Sequence, residues 1–224
     1  MPLDQILLLV PVLLFSIVAH EYAHGEAAYR QGDQTAYMLG RLTLNPLKHI
    51  DPFLTILLPI LLISMGGPPF GGAKPVPVNP RNYRNYRTGD IIVSLAGIVT
   101  NLGLFVVCMI GFALVGLLAQ GVGTMSGTLV ILQRMMYFGM WVNTGLAFFN
   151  LIPIPPLDGS HVLKQMLPPA AGMRFRQLYM LGIIPILLIV WFFPGVVSAF
   201  MWPARALMQV ADQLVGGFGI TGAL

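Results

Sequence analysis

The chain has 224 residues, of which 56% are hydrophobic and only 9% are charged, and its mean hydropathy is +0.79. Soluble globular domains carry about 25% charged residues, so this composition excludes a soluble domain and predicts an integral membrane protein. The net charge of +4 does not indicate a nucleic-acid partner, because the basic residues concentrate in loops where membrane topology accounts for them. We therefore expect one all-α, polytopic membrane domain over residues 1–224, surrounded by the lipid bilayer.

Apolar runs of about 20 residues are long enough to cross a bilayer as helices. Four such runs lie near residues 4–29, 90–119, 128–150 and 178–200. A fifth run at 51–65 is shorter and contains Pro59, so it either crosses the membrane or re-enters it. The sequence thus predicts about five membrane segments.

The basic residues predict how these segments are oriented. Ten of the twelve lie in three groups, and the loop at 120–127 has none. The groups are Arg30, Arg41 and Lys48; Lys74, Arg81, Arg84 and Arg87; and Lys164, Arg174 and Arg176. By the positive-inside rule these loops are cytoplasmic, which places the N-terminus on the exoplasmic side of a multi-pass cell-membrane protein.

The stretch GGPPFGGAKPVPVNP at 66–80 follows the fifth run and contains too many prolines to be helical. Irregular backbone at membrane depth must be buried by protein or must line a wet cavity. We therefore expect a short Gly/Pro-rich extended hairpin beside a cavity on the cytoplasmic side. Tyr83 and Tyr86, which come directly after it, are expected to be interfacial aromatic residues.

The first apolar run contains HEYAH, in which His20 and His24 are one helical turn apart. Residues at i and i+4 share a helix face, so the two imidazoles can bind one metal ion, and Glu21 is placed to act as a general base. Chance occurrence is disfavoured, because ionisable groups are costly inside a membrane. The pattern predicts a catalytic zinc site, which usually takes a third protein ligand.

The third ligand cannot be a glutamate, because Glu26 is the only glutamate besides Glu21 and lies on another face of the helix. Aspartates and histidines remain. Asp33, Asp51 and Asp90 lie in or beside basic loops and are expected to be solvated or to cap helices.

Asp158 is the favoured third ligand. It follows prolines at 153, 155 and 156, which unwind the 128–150 helix near its cytoplasmic end, and the topology brings it to the depth of His20. His161 remains the alternative, although it is expected to face headgroups or backbone.

HExxH on a membrane helix, followed downstream by NxxPxxxLDG, resembles the site-2 protease family of intramembrane zinc metalloproteases. The second motif is complete in Asn150, Pro153, Leu157, Asp158 and Gly159. The resemblance covers residues from about 10 to 165 and is to the compact members, without PDZ or CBS domains.

The resemblance implies zinc held by His20, His24 and Asp158, with Glu21 as general base and acid. The substrate would be a membrane protein or transmembrane peptide, positioned in part by Asn150. AGIVTN at 96–101 is similar to the family's AGPxxN motif, with Asn101 retained as a further substrate-binding candidate and Ile98 in place of proline.

The Gly-rich hairpin also fits the family, in which such segments receive the substrate as an added strand. Pro75 and Pro77 are two residues apart, so in a strand their backbone nitrogens, which lack a proton, lie along the same edge. The other edge keeps the donors of Lys74, Val76 and Val78, which are predicted to pair with substrate. An irregular loop is the alternative.

Two rival functions use the same ligands: a non-catalytic metal-binding membrane protein and a small transporter. A transporter is expected to have two similar halves with paired broken helices, and the sequence has no such repeat. The favoured interpretation is therefore an intramembrane zinc metalloendopeptidase that hydrolyses peptide bonds within or near transmembrane segments.

Overall fold

The computed structural model describes residues 3–65, 71–122 and 127–220. The α-helices are α1 Leu3–Gln31, α2 Thr35–Met38, α3 Leu58–Ser64, α4 Tyr86–Val122, α5 Gly127–Asn150, α6 Asp158–Met166, α7 Pro169–Gln177, α8 Ile184–Phe192, α9 Pro194–Phe200 and α10 Trp202–Val215. A π-helix at Pro52–Leu57 leads into α3, and short 3₁₀ turns occur at Pro46–Lys48, Pro80–Asn82, Leu178–Leu181 and Gly216–Phe218. The predicted all-helical class is confirmed for the part of the chain that is described.

Among these elements, α1 and α4 are long and apolar enough to cross a membrane. The 29 residues of α1 rise about 43 Å at 1.5 Å per residue, which exceeds the roughly 30 Å hydrocarbon core. A third candidate is the pair Ala170–Leu181 and Ile184–Phe192, whose axes are bent by 84°, if that pair counts as one span. The predicted number of about five membrane segments is not confirmed.

The predicted segment at 178–200 is not one helix. It divides into the 3₁₀ turn Leu178–Leu181, α8 and α9. Gly182 has a φ of 56°, a left-handed conformation that ends the first piece and favours glycine. Pro194 disfavours a helical conformation at the residue before it, so α8 ends there.

The predicted segments at 51–65 and 128–150 are helical. The π-helix has 6 residues and α3 has 7, and together they reach about 20 Å, short of a bilayer core. α5 has 24 residues, but it is not among the described helices that are apolar enough to cross a membrane. Gln133, Asn143 and Thr144 are buried in the protein, so these polar side chains face other helices.

α4 packs along both α1 and α5 and forms the centre of the fold. A buried apolar cluster joins α4 and α5 to α10 through Phe105, Phe112, Met140 and Met208. A side chain at Gly139 would collide with the sulfur of Cys108, so glycine lets α5 approach α4 closely at this point. The lone cysteine is therefore a packing residue.

Residues 71–79, called here the extended segment, form no strand ladder with any described residue. Single hydrogen bonds hold them instead: Gly72 N–H donates to the Leu54 carbonyl at 3.0 Å, and Lys74 N–H donates to the His49 carbonyl at 2.7 Å. The rest of the predicted hairpin, at 66–70, lies outside the described residues. The described part of the predicted hairpin is thus non-helical and has no sheet pairing, and its pairing as an extended strand stays a prediction.

Tyr83 was expected at the membrane interface, and this expectation is wrong. The residue is only 7% exposed and packs between Ala28 of α1 and Val93 of α4. Gly89 provides the room, because a side chain there would overlap the tyrosine. Tyr86 is 40% exposed, and its hydroxyl accepts a hydrogen bond from Arg176 at 2.7 Å.

Candidate metal centre

His20 and His24 lie on the inner face of α1, and both are buried. Their Nε2 atoms are 3.0 Å apart, as the spacing of one helical turn predicts. Both rings project towards α4 and the start of α6. The motif therefore forms the two-histidine face that the sequence predicts.

Asp158 completes the group as the first residue of α6. Its Oδ2 lies 3.1 Å from His20 Nε2 and 3.3 Å from His24 Nε2. Gly159 allows this placement, because a side chain there would collide with the carbonyl oxygen of Leu151. The structure thus brings together the three side chains that the sequence predicts as ligands.

The Nδ1 atom of each imidazole already has a hydrogen-bond partner. His20 Nδ1 is 2.5 Å from Asn101 Oδ1, and His24 Nδ1 is 2.7 Å from the carbonyl oxygen of Val93. Both partners are acceptors, so both Nδ1 atoms carry the proton and both Nε2 atoms present lone pairs. This is the tautomer that a metal ligand requires.

The side chains of His20, His24 and Asp158, called here the metal group, fit a cation. Two imidazole lone pairs and a carboxylate oxygen face one another at 3.0–3.3 Å, an arrangement that is repulsive without positive charge between them. The buried Oδ2 of Asp158 also has no hydrogen-bond partner. Tetrahedral zinc with bonds of about 2.0–2.1 Å separates its ligand atoms by about 3.3 Å, which matches these distances.

Gly97 of α4 makes the site possible. A Cβ atom at this position would lie 2.5 Å from Cε1 of His20 and 2.6 Å from Nε2 of His24. Any side chain would therefore displace the imidazoles. Gly97 lies within AGIVTN, and the sequence alone does not indicate this role.

Asn101 is placed differently from the prediction. It is fully buried, is not part of the cavity lining and contacts His20, so no substrate can reach it directly. Its amide donates to Asn143 Oδ1 at 2.8 Å, and Asn143 in turn donates to the Gly139 carbonyl. Asn101 thus orients a predicted metal ligand through a buried chain of hydrogen bonds.

Glu21 is outside the ligand group and lines a cavity of about 580 Å³ together with His20, His24 and Asp158. Its Oε2 accepts a hydrogen bond from the backbone N–H of Val76 at 2.8 Å. This contact links the helix of the HEYAH motif to the extended segment. A carboxylate beside the metal ligands but not among them has the position expected of a general base.

The predicted substrate-pairing edge of the extended segment is partly engaged. Lys74 N–H donates to His49, and Val76 N–H donates to Glu21, while Val78 lines the cavity. Arg41 donates to the carbonyl oxygens of Lys74 and Pro75. Pairing of a substrate with this edge stays a prediction, and it requires the Lys74 and Val76 donors to exchange partners.

Asn150 is half-buried and lines the cavity, as its predicted substrate role requires. Its side-chain amide donates to the Leu146 carbonyl one turn earlier in α5, at 3.0 Å. The side-chain oxygen can still accept a hydrogen bond. Contact with substrate stays a prediction for this residue.

His161, the alternative third ligand, does not join the metal group. Its Nδ1 lies 3.3 Å from Asp90 Oδ1, and its ring packs edge-on against Tyr179 at 5.0 Å. The expectation that it faces headgroups is also wrong, since the ring lines the cavity. Asp158 is thus the residue that the described structure places beside the two histidines.

Of the three aspartates expected to be solvated or to cap helices, Asp51 caps the π-helix by accepting from Phe53 N and Leu54 N. Asp33 and Asp90 are only 1% and 2% exposed, so the expectation that they are solvated is wrong for both. Asp33 accepts from Asn79 N–H at 2.6 Å and from Thr35, which anchors the end of the extended segment. Burial raises the pKa of Asp33, but these hydrogen bonds outweigh burial and hold it below its ordinary value.

Comparison with known proteins gives the family. The model of Peptidase family M50 matches residues 8–191. "Putative zinc metalloprotease YwhC" of Bacillus subtilis (strain 168) is 39% identical over 205 residues, covering 90% of this chain and 87% of that protein. "Putative zinc metalloprotease Rip2" of Mycolicibacterium smegmatis (strain ATCC 700084 / mc(2)155) is 34% identical over 202 residues, covering 84% and 73%. No solved structure matches the chain.

The match covers most of the chain and includes HEYAH, Asn101 and Asp158. The relatives are named zinc metalloproteases, so the cation that the metal group fits is zinc. The predicted hydrolase and metalloprotease class follows from the family and from the relatives' names. The long apolar helices α1 and α4 agree with a membrane protein. The resemblance seen in the two motifs is thus confirmed, and this chain belongs to Peptidase family M50, the site-2 protease family.

Proposed function

We propose that the chain is an intramembrane zinc endopeptidase that hydrolyses peptide bonds within or near transmembrane segments of membrane-protein substrates. One observation carries the proposal: a single cavity of about 580 Å³ is lined by the metal group, Glu21 and the extended segment. The two histidines and Glu21 come from α1, a helix long and apolar enough to lie in a membrane. A hydrolytic site in that location acts on peptide that enters the bilayer.

His20, His24 and Asp158 hold the metal in this proposal. When bound, zinc supplies a Lewis acid that polarises the scissile carbonyl and lowers the pKa of water at the site. The protein supplies the orientation: Asn101 and Val93 fix the imidazoles, and Gly97 leaves space for them.

Glu21 acts as the proton carrier. Its carboxylate accepts a proton from the attacking water and delivers it to the nitrogen of the leaving amine, so that atoms and charge balance over the reaction. The hydrogen bond from Val76 N–H orients the carboxylate within the cavity. Because the group is not a metal ligand in the described arrangement, it is free to exchange protons.

The rest of the cavity suits an apolar peptide. Side chains that line it include Ile17, Leu146, Phe149, Ile183 and Ile186. Such walls favour the aliphatic and aromatic side chains of a transmembrane segment over a charged loop. In the proposal Asn150 and the N–H groups of Lys74, Val76 and Val78 contact the substrate backbone.

The proposed membrane arrangement follows the basic loops. It is multi-pass, with the N-terminus exoplasmic and the active site near the cytoplasmic side. In a variant that lacks Cys108, single cysteines at positions 40 and 84 should react with a reagent supplied from the cytoplasmic side. A cysteine at position 123 should react from outside, and labelling of position 84 from outside would reverse the orientation.

Glu21→Gln tests the chemistry directly. The substitution keeps the shape of the side chain but removes the base, so zinc content should stay at one per chain while cleavage of single-span membrane peptides in detergent falls. A general base contributes about 10²–10⁴-fold, so the loss should lie in that range. Residual activity above about a tenth of wild type would reject the role.

Glu26→Gln is the matched control, because Glu26 is the other glutamate of the chain and pairs with Arg30 at 2.8 Å. An exposed i,i+4 ion pair contributes little, so this variant should cleave like wild type. A wild-type protein that binds zinc but cleaves no peptide from a panel of single-span substrates would favour the non-catalytic metal-binding or transport alternatives.

A further inference from the structure

A second buried cluster lies beside the metal group and has Asp90 at its centre. This carboxylate, near the start of α4, is only 2% exposed. Its Oδ2 lies 2.7 Å from Lys164 Nζ and accepts from Gln165 Nε2 at 2.6 Å, and its Oδ1 lies 3.3 Å from His161 Nδ1. All three partners belong to α6.

α6 is the nine-residue helix that begins with Asp158. Positions 158, 161 and 165 are separated by three and four residues, so they share one face of the helix. The prolines before Asp158 end α5, so α6 does not take its orientation from a continuous helix. Its polar contacts with Asp90 are therefore among the restraints that fix where the first residue of α6 lies.

α4 presents Asp90 on the same stripe as the groups that organise the histidines. Positions 90, 93, 97 and 101 are separated by three, four and four residues, which keeps them on one helix face. The Val93 carbonyl oxygen accepts a hydrogen bond from His24 Nδ1, and Asn101 Oδ1 accepts one from His20 Nδ1. Gly97 leaves room for both rings. Over about 16 Å of one helix, this stripe contacts every element that carries a proposed ligand.

We propose that Asp90 is a positioning residue for the metal site, holding α6 against α4 so that Asp158 meets His20 and His24. The inference rests on the ligand set of the proposed function and adds a residue to it. Asp90 acts through α6 and has no contact with the metal group itself among the described residues. Its contribution is the directional geometry of three polar contacts.

An ion pair is suited to this task because it specifies one arrangement. Apolar residues of similar volume can replace a buried ion pair without loss of stability, whereas hydrogen-bonded charges fix distance and direction. A metal site requires ligand distances within about 0.2 Å, a tolerance that apolar packing between two helices does not impose by itself. Stability and positioning can therefore be separated by substitution.

The test measures metal affinity of the purified full chain in detergent, by titration of the metal-free protein with cobalt(II) and by competition for zinc with a chelator. Two variants are compared with wild type: Asp90→Asn, and the double variant Asp90→Leu with Lys164→Met, which leaves no unpaired buried charge. Both should bind either metal about 10- to 100-fold more weakly, the range typical of partners that orient ligands. The visible absorption of the cobalt form should also change, because the carboxylate ligand is displaced.

Asp33→Asn is the matched control. Asp33 is a buried carboxylate with several hydrogen-bond donors, but these come from residues 35, 79 and 82 and not from α6. Metal affinity and cobalt absorption should match wild type in this variant. Thermal unfolding of all metal-free proteins then reports stability separately, and the double variant should unfold at the wild-type temperature.

A double variant that binds cobalt with wild-type affinity and absorption overturns the proposal. So does weaker binding that is matched by an equal loss of stability in the metal-free protein, since Asp90 would then be a structural residue only. These readouts need no cleavage. A wild-type protein that binds cobalt but hydrolyses no peptide would therefore reject the endopeptidase function while leaving the role of Asp90 intact.

Discussion

The cavity has two kinds of wall. The helical wall includes residues of α1, α4 and α6, and its two histidines are buried: His20 is 6% exposed and His24 is 9% exposed, with the fully buried Asn101 behind His20. The second wall is the extended segment, in which only Val76 is buried and single hydrogen bonds replace a ladder. The same cavity therefore combines a rigid part with a part whose contacts can be exchanged.

This difference corresponds to the two tasks of the proposed enzyme. Metal binding needs ligands that are already held within about 0.5 Å of their final geometry. Substrate binding needs backbone groups that can change partners, since a peptide must displace existing hydrogen bonds to pair with the segment. Substitutions at the metal ligands and at the groups that orient them should thus alter metal affinity, and substitutions in the extended wall should leave metal affinity unchanged.

The largest effect is expected for Gly97→Ala. The new methyl group would overlap both imidazoles, so metal affinity should fall by more than the roughly 100-fold upper limit typical of outer partners. Gly103→Ala is the control on the same helix, because its methyl group meets nothing within 4 Å. Elemental analysis of both purified variants measures the difference, and equal zinc contents would remove Gly97 from the site.

Much of the helical wall could be predicted from the sequence. The i,i+4 spacing of His20 and His24 determines their shared face, and the cost of an ionisable group in a membrane argues against a chance occurrence of Glu21. Asp158 followed from the depth at which two helices end. Each of these inferences depends on local geometry or on segment order, which are properties that a single sequence carries directly.

The residues that position the metal ligands without being ligands themselves could not be predicted in the same way. Asn101, Gly97 and Asp90 face the site because of how α4 is rotated against α1 and α6. Their spacing places them on one face of α4, but the sequence does not specify which helices that face meets. The same limitation explains why Tyr83 was expected at the interface when it packs against Ala28. Side-chain partners between helices become visible only in three dimensions.

A smaller effect is expected for Asn101→Ala, which leaves the Nδ1 proton of His20 without an acceptor. Loss of a partner that orients a ligand typically weakens metal binding about 10- to 100-fold. Asn150→Ala should leave metal affinity unchanged, because the Asn150 amide donates to the Leu146 carbonyl and not to a histidine. Chelator competition with both variants checks this, and similar affinities would contradict the role of Asn101 in orienting His20.

The smallest effects should come from the extended wall, where Val76 and Val78 share the predicted pairing edge but differ in one contact. Val76 N–H donates to Glu21, and Val78 N–H does not. Val76→Pro removes both a substrate donor and the hydrogen bond that orients the base. Val78→Pro removes only a substrate donor, and each proline is compatible with extended backbone.

Kinetics on a single-span peptide should therefore separate the two variants while both keep one zinc per chain. A hydrogen bond to a charged group contributes about 1.5–3 kcal/mol, so kcat should fall about tenfold or more in Val76→Pro. KM should rise in both variants, by about fivefold for the loss of one neutral hydrogen bond of about 1 kcal/mol. If kcat is unchanged in Val76→Pro, its N–H does not orient the base, and if KM is unchanged in both, the substrate does not pair with this edge. Both results together would leave the extended wall with a structural role only.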